Sequence, residues 1–212
     1  LNGASPNTLG CLDKLETSRM FADAEILTPA VYERENSMTL PFVIRKNLVG
    51  TGQKFSRIIS TRTEQFQITE QMWCSSILTQ CVNGREFTVD ILSDLNSNVL
   101  SVVPRLRREV RAGIVHFGEV VNDVELIKRS TEVAERLKLT GINCIQCIMT
   151  ESGECYFFEV NPRPGSGLDL TTNAGVNMPA AWLDIISGIS PTIPVPDWGL
   201  KMVRYHDGYF FK

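Results

Sequence analysis

Between residues 77 and 160 the chain reads as five strand-like runs with only one helix among them. That imbalance limits the fold more than any other feature. The runs are 77–82, 86–92, 99–104, 142–149 and 154–160. The single helical stretch, 123–137, repeats Val124, Ile127, Val133 and Leu137 at apolar positions. A doubly wound sheet alternates strand and helix strictly, and this chain does not, so the expected class is α+β. The polar turn Glu151-Ser152-Gly153 joins the last two runs into a hairpin. Residues 12–23 read as a helix, and 41–46 and 55–60 as strands flanking Gly50-Thr51-Gly52. At the other end, 178–186 reads as a helix and 201–205 as a closing strand. The proline-bearing stretch 191–196 marks a loop before a docked tail.

A length of 212 residues, 43% hydrophobic and 21% charged, suits one large globular domain or two small lobes sharing a cleft. The net charge of −3 and pI near 5.5 give no reason to expect nucleic acid. Arg105, Arg107, Arg108 and Arg111 form a local knot of charge that does not make the chain basic. No run approaches the roughly 18–20 apolar residues of a membrane span. The chain opens on Leu1-Asn2-Gly3, without the basic start and apolar core of a signal peptide. Cys144-x-x-Cys147 lies inside an apolar run, where neighbouring side chains point to opposite faces. The expectation is therefore buried, reduced thiols rather than a redox or zinc pair, with the cytoplasm as the default compartment.

Glu159 and Asn161 are two apart on a strand and face the same way. Gln146, on the preceding strand of the hairpin, can aim at the same face. One carboxylate and two amide oxygens make a hard-oxygen cluster suited to Mg²⁺. The segment Pro162-Arg163-Pro164-Gly165-Ser166-Gly167 follows directly, bringing a guanidinium and backbone amides for developing negative charge. The same residues also suit an ordinary polar strand end with a proline turn. Gly50-Thr51-Gly52 can let backbone N–H groups approach phosphates, or can simply close a tight hairpin. Arg45 could hold a phosphate bidentately. His116, alone in an apolar run, suits a structural hydrogen-bonded role as well as a ligand role.

In this order the segments resemble the ATP-grasp superfamily, nearest to the synthetase domains of the carbamoyl-phosphate synthase large chain and its single-copy ligase relatives. Glu159-Val160-Asn161-Pro162-Arg163 is similar to the E-(M/I/V)-N-P-R metal and catalytic motif, and Gln146 matches the glutamine that supplies the other metal ligand. Pro41-Phe42-Val43-Ile44-Arg45 resembles the P-x-V-V-R strand whose arginine meets ATP phosphates. Lys46 stands where a proline is usual, which opens the choice between Arg45 and Lys46; the ungapped match favours Arg45. Gly50, Thr51 and Gly52 then correspond to the phosphate-covering loop, expected to be a lid across 49–54, although a third glycine is missing. Gln80-Cys81-Val82-Asn83-Gly84-Arg85-Glu86 is similar to the adenine hinge. By that resemblance backbone groups near Gln80 and Val82 meet adenine, and Glu86 takes the ribose hydroxyls. Val115-His116-Phe117-Gly118-Glu119 resembles I-H-T-G-D, which places His116 at the nucleotide. Asp13-Lys14 occupies the place of an Asp and a basic residue near the phosphates.

The resemblance implies an ATP-grasp fold, two α+β lobes clasping ATP, divided as 11–76 and 77–212. It implies ATP and Mg²⁺ as cofactors, with Mn²⁺ as the alternative ion. The metal ligands would be Gln146, Glu159 and Asn161, and Arg163 the catalytic residue that steadies an acyl phosphate. The expected activity is a carboxylate–amine ligase acting on small molecules, with neither nucleic acid nor membrane as partner. The alternatives are a non-catalytic nucleotide-binding or assembly module and an authentic carbamoyl-phosphate synthase fragment. The family carries a further N-terminal domain with no counterpart here. The expectation is thus a fragment whose uncovered apolar face favours a homo-oligomer.

Overall fold

Two antiparallel sheets carry the fold. The computed structural model describes residues 6–32, 39–47, 56–111 and 114–205. Strands β1 (Phe42–Lys46), β2 (Ser56–Ile59) and β3 (Ser76–Gln80) make a small sheet in the order β2-β1-β3. Strands β4 (Arg85–Ser93), β5 (Val99–Arg111), β6 (Ile114–Val120), β7 (Gly141–Met149), β8 (Cys155–Asn161) and β9 (Lys201–Val203) make a larger one, ordered β8-β7-β4-β5-β6-β9. The helices are α1 (Pro6–Gly10), α2 (Lys14–Asp23), α3 (Arg62–Phe66), α4 (Glu70–Cys74), α5 (Val124–Arg136), α6 (Leu168–Asn173) and α7 (Met178–Ile186). No helix among the described residues is long and apolar enough to cross a membrane.

The outer face of the large sheet holds the main core. Phe87, Val89 and Ile91 of β4 and Ile145 and Cys147 of β7 are buried there against Phe21 of α2 and Leu126, Val133 and Ala134 of α5. Helix α5 starts where the Asp123 carboxylate accepts from Leu126 N–H, and it ends with Arg136 in its last turn, both favourable to the helix dipole. A second cluster joins Leu92, Val103, Val120 and Ile142 to α6 and α7. A third packs Phe42, Ile44, Ile59 and Leu78 of the small sheet against Ile68, Met72 and Trp73. Each fully buried aliphatic or aromatic side chain contributes about 1.5–3 kcal/mol.

Strand β3 pairs with β1 from Gln80 back to Ser76, so the crossing runs through 81–84. Cys11 and Phe21, from the N-terminal end, pack in the large sheet's core. Segment 26–32 runs between the sheets as a strap. Leu27 O accepts from Phe157 N at 2.9 Å, Ala30 O from Gln80 N at 2.8 Å, and Tyr32 N donates to Leu78 O at 2.9 Å.

Several other elements differ from the sequence expectation. Strand β5 continues past Pro104 to Arg111. A proline lacks a donor, but the Pro104 carbonyl still accepts from Val121 N at 3.0 Å, and the strand passes on. Short helices α3 and α4 are set by caps rather than by periodicity. Thr61 and Glu64 form a capping box at α3, and Thr69 caps α4.

Candidate active site

Strand parity turns a polar stripe inward. Because Phe87, Val89 and Ile91 face the outer core, Glu86, Thr88 and Asp90 face the other way. The ladder carries this sideways: Thr88 lies opposite Arg105 on β5 and Gln146 on β7. Gln146 in turn lies opposite Glu159 on β8, and Cys144 opposite Asn161. Charged and amide side chains therefore fill a face where a closed core would hold aliphatics.

These groups touch. With the Gln146 amide nitrogen toward β8, Nε2 donates to Glu159 Oε2 at 2.7 Å and Oε1 accepts from Arg107 Nη1 at 2.5 Å. Lys14 Nζ stands 3.3 Å from Glu159 Oε1. Arg107 also reaches Glu86 Oε1 at 3.2 Å through Nε and donates from Nη1 to Thr88 Oγ1 at 3.1 Å. A continuous path thus runs Lys14–Glu159–Gln146–Arg107–Glu86. Asn161 is buried, with Oδ1 3.5 Å from Arg163 Nη2, and the exposed Arg163 donates to Pro164 O at 3.0 Å. The expected ligands Gln146, Glu159 and Asn161 therefore share one face.

Among the described residues no three His, Cys, Asp or Glu side chains cluster as a metal site. The donor set here is one carboxylate with two amide oxygens, a chemistry that suits a hard ion completing its shell with water and phosphate. Glu159 already sits among positive partners, the Lys14 ammonium and the Gln146 amide hydrogens. A metal ion would take the place of the Lys14 ammonium beside Glu159, with the Gln146 amide turned to present its oxygen.

Arg45 enters from the small sheet. It is buried, whereas Lys46 is exposed, so alternation along β1 separates the two. Its guanidinium lies 5.0 Å over the Phe158 ring, with Nη1 3.5 Å from Phe158 O. Phe158 is the extra residue of a β-bulge between Phe157 and Glu159, which leaves that carbonyl outside the ladder. Burial pulls the Arg45 pKa below its ordinary value, against the carboxylates of Glu159 and Glu86. Among the described residues its buried Nε finds no hydrogen-bond partner. Burial also raises the Glu86 pKa; Arg107 and Arg45 oppose this and Glu159 adds to it.

Lys14, Gln80, Val82 and His116 are the other expected residues among those described. Lys14 opens α2, whose cap Asp13 accepts from Glu16 N–H and from Asn47 Nδ2, both at 2.9 Å. Asn47 Oδ1 accepts from Leu15 N–H at 2.9 Å, which ties the helix start to the end of β1. Gln80 ends β3 with its N–H engaged by Ala30, and Val82 sits in the crossing, half-buried. His116 is buried on β6 where the β5–β6 register shifts, its carbonyl accepting from Arg204 N–H at 2.7 Å. Gly50, Thr51 and Gly52 lie outside the described residues.

Sequence reasoning missed three features. Arg107 links the ribose and metal candidates, Asn47 anchors the helix bearing Lys14, and Asp90 holds Arg105 in a buried pair at 2.7 Å. Burial lowers the Arg105 pKa, but the Asp90 charge and hydrogen bonds outweigh this and leave it raised. The knot of arginines resolves into four pairs: Arg105–Asp90, Arg107–Glu86, Arg108–Glu119 and Arg111–Glu109. The available signal was the period-two spacing of Glu86, Thr88 and Asp90 within an apolar strand.

Solved structures share this fold. The biotin carboxylase domain of Hydrogenobacter thermophilus 2-oxoglutarate carboxylase, in complex with MgADP, ADP and bicarbonate, superposes with a TM-score of 0.73 at 16% identity, over 89% of this chain and 48% of that one. Campylobacter jejuni biotin carboxylase gives 0.74 at 14% identity, over 93% of this chain and 50% of that one. The L-amino acid ligase of Bacillus licheniformis gives 0.65 at 18% identity, over 83% and 48%. The chain thus spans about half the length of each. None of the curated proteins matches its sequence at a significant level. A family described as ATP-grasp in the biosynthetic pathway with Ter operon matches residues 73–206, well over half of the chain and all of the large sheet. On that match, and with the two sheets and the polar stripe between them in place, the chain belongs to this ATP-grasp family.

Proposed function

We propose that the chain is the nucleotide-binding and catalytic part of an ATP- and Mg²⁺-dependent ligase, which activates a small carboxylate as an acyl phosphate for attack by an amine. The observation that carries this reading is the cross-strand register that sets Gln146 opposite Glu159, with Asn161 on the same face and Arg45, Lys14 and Glu86 converging on it. The structure of the same fold in complex with MgADP and ADP supports nucleotide binding here as well.

A carboxylate resists amines because it is negative and has a poor leaving group; phosphorylation removes both obstacles. Mg²⁺ held by Glu159, Asn161 and the Gln146 oxygen would neutralise charge on the β- and γ-phosphates. Arg45 and Lys14 bring positive charge to the phosphates, with Gly50–Gly52 as their backbone cover. Glu86 accepts from the ribose hydroxyls, backbone near Gln80 and Val82 meets adenine, and His116 borders the nucleotide. Arg163 and the amides of Gly165–Gly167 steady the acyl phosphate until the amine arrives. The finer carbamoyl-phosphate synthase-like reading rests on the E-x-N-P-R and P-F-V-I-R segments.

The test is ADP release by the full-length protein against a panel of carboxylates and amines, with Glu159→Ala in parallel. Release that depends on both substrates and on Mg²⁺, and is lost in a folded Glu159→Ala, is expected. Unchanged turnover in that variant would sink the metal assignment. Tight MgADP binding with no release for any pair would favour a non-catalytic module.

A further inference from the structure

We infer that Asp90, Arg105 and Thr171 are positioning residues that hold the 162–167 segment, and through it Arg163, against the catalytic face. This rests on the ligase reading above and assigns a role to residues outside the nucleotide contacts. Asp90, Arg105 and Thr171 are 0%, 1% and 0% exposed. Arg105 donates to Asp90 twice, Nε to Oδ2 at 2.7 Å and Nη2 to Oδ1 at 2.8 Å, and Thr171 Oγ1 donates to Oδ2 at 2.5 Å. Two of the guanidinium's three nitrogens are thereby fixed in orientation. The face they leave lies against the backbone of the loop. A Cβ on Gly165 would sit 2.9 Å from Cys144 Sγ and 3.3 Å from Arg105 Nη2, and one on Gly167 would overlap Arg105 Nη1. The two glycines are thus small because the loop rests directly on a planar cation that cannot move.

Stability alone does not account for the pair, since well-packed apolar residues often replace a buried ion pair at no loss. A rigid fork, by contrast, fixes how far the backbone may approach. Asn161 N-terminal to the loop and α6 C-terminal to it are both anchored, so Arg163 swings on a segment held at three points. Misplacing such a group by about 1 Å costs on the order of 100-fold in rate.

The test uses the full chain with Gly167→Ala, which puts a methyl where Arg105 Nη1 lies. Hydrogen exchange is followed at Arg163, Leu168 and Leu170, whose N–H groups bond to Asn161, Gly165 and Gly167 carbonyls. Exchange there should accelerate roughly tenfold or more, with Ile145 in β7 unchanged. MgADP affinity should stay within about threefold, and ADP release should fall as far as in Arg163→Ala. Combining the two changes should cost little more, because both act through one group. A folded Gly167→Ala with unaltered exchange at the three amides overturns the inference, as does accelerated exchange with full turnover. If Gly167→Ala does not fold, Thr171→Val decides by the same readouts, since it removes only one bond to Asp90. If the wild-type chain releases no ADP, the ligase reading fails while exchange still decides the loop.

Discussion

Replacing Lys14 by Met should make the nucleotide-free protein bind a divalent cation more tightly, although it deletes a contact proposed for phosphate. Lys14 Nζ lies 3.3 Å from Glu159 Oε1, and the two side chains are 13% and 18% exposed, so water screens them little. At an effective dielectric of about 20, that separation corresponds to a gross attraction of about 5 kcal/mol. Desolvation cancels much of it, and hydrogen bonds to charged groups net about 1.5–3 kcal/mol. A cation taking Glu159 must displace this partner, so removing it should lower the Mn²⁺ dissociation constant by about 10- to 100-fold, at about 1.4 kcal/mol per decade. The assay is loss of the free Mn²⁺ paramagnetic resonance signal on titration with protein, without nucleotide. Lys14→Arg, which keeps the charge, should resemble the wild type. MgADP affinity should move the opposite way in Lys14→Met and weaken. An Mn²⁺ affinity that is unchanged or weaker in a folded Lys14→Met would refute the idea that the ammonium holds the cation's place.

Acidification should test Glu86. Burial raises its pKa above the ordinary carboxylate value of about 4.3, so MgADP affinity measured by calorimetry should begin to fall at a higher pH than an exposed carboxylate allows. Glu86→Gln should remove that part of the profile. The folded pKa exceeds the unfolded one, so ionised Glu86 costs stability, and the cost is relieved as pH falls through that window. Leu126→Ala, at a fully buried position beneath β4, should lower unfolding free energy by roughly 2–5 kcal/mol in urea titration while sparing MgADP binding. Thiol labelling should be fast at exposed Cys74 and slow at Cys144, where burial pushes the pKa up to about 12; rapid loss of Cys144 in the folded state would contradict that burial.

What could be read without the structure was whatever depends on near neighbours. The 142–149 and 154–160 hairpin and the shared face of Glu159 and Asn161 follow from a two-residue period and one turn. The same parity separated Arg45 from Lys46. What could not be read depends on residues far apart in sequence. Nothing local pairs Lys14 with Glu159, or tells that each arginine of 105–111 has its own acid. Helices of five or six residues offer too little periodicity to detect, and a proline inside β5 argued for an end that the ladder did not need. Residues 77–80 read as strand in either sheet, and only pairing with β1 assigns them to the small one.

The strap at 26–32 has a mechanical consequence. Two jaws joined by one covalent crossing can swing freely, but here the jaws are pinned at further points. The strap is sewn to β8 at one end and to β3 at the other, and Asn47 rivets the start of α2 to the end of β1. Opening by simple rotation about 81–84 would have to rip these bonds together. A linkage of this kind resists swinging of the small sheet about the crossing. The same sewing engages the Phe157 N–H of β8, an edge strand that would otherwise offer that donor to a neighbouring chain.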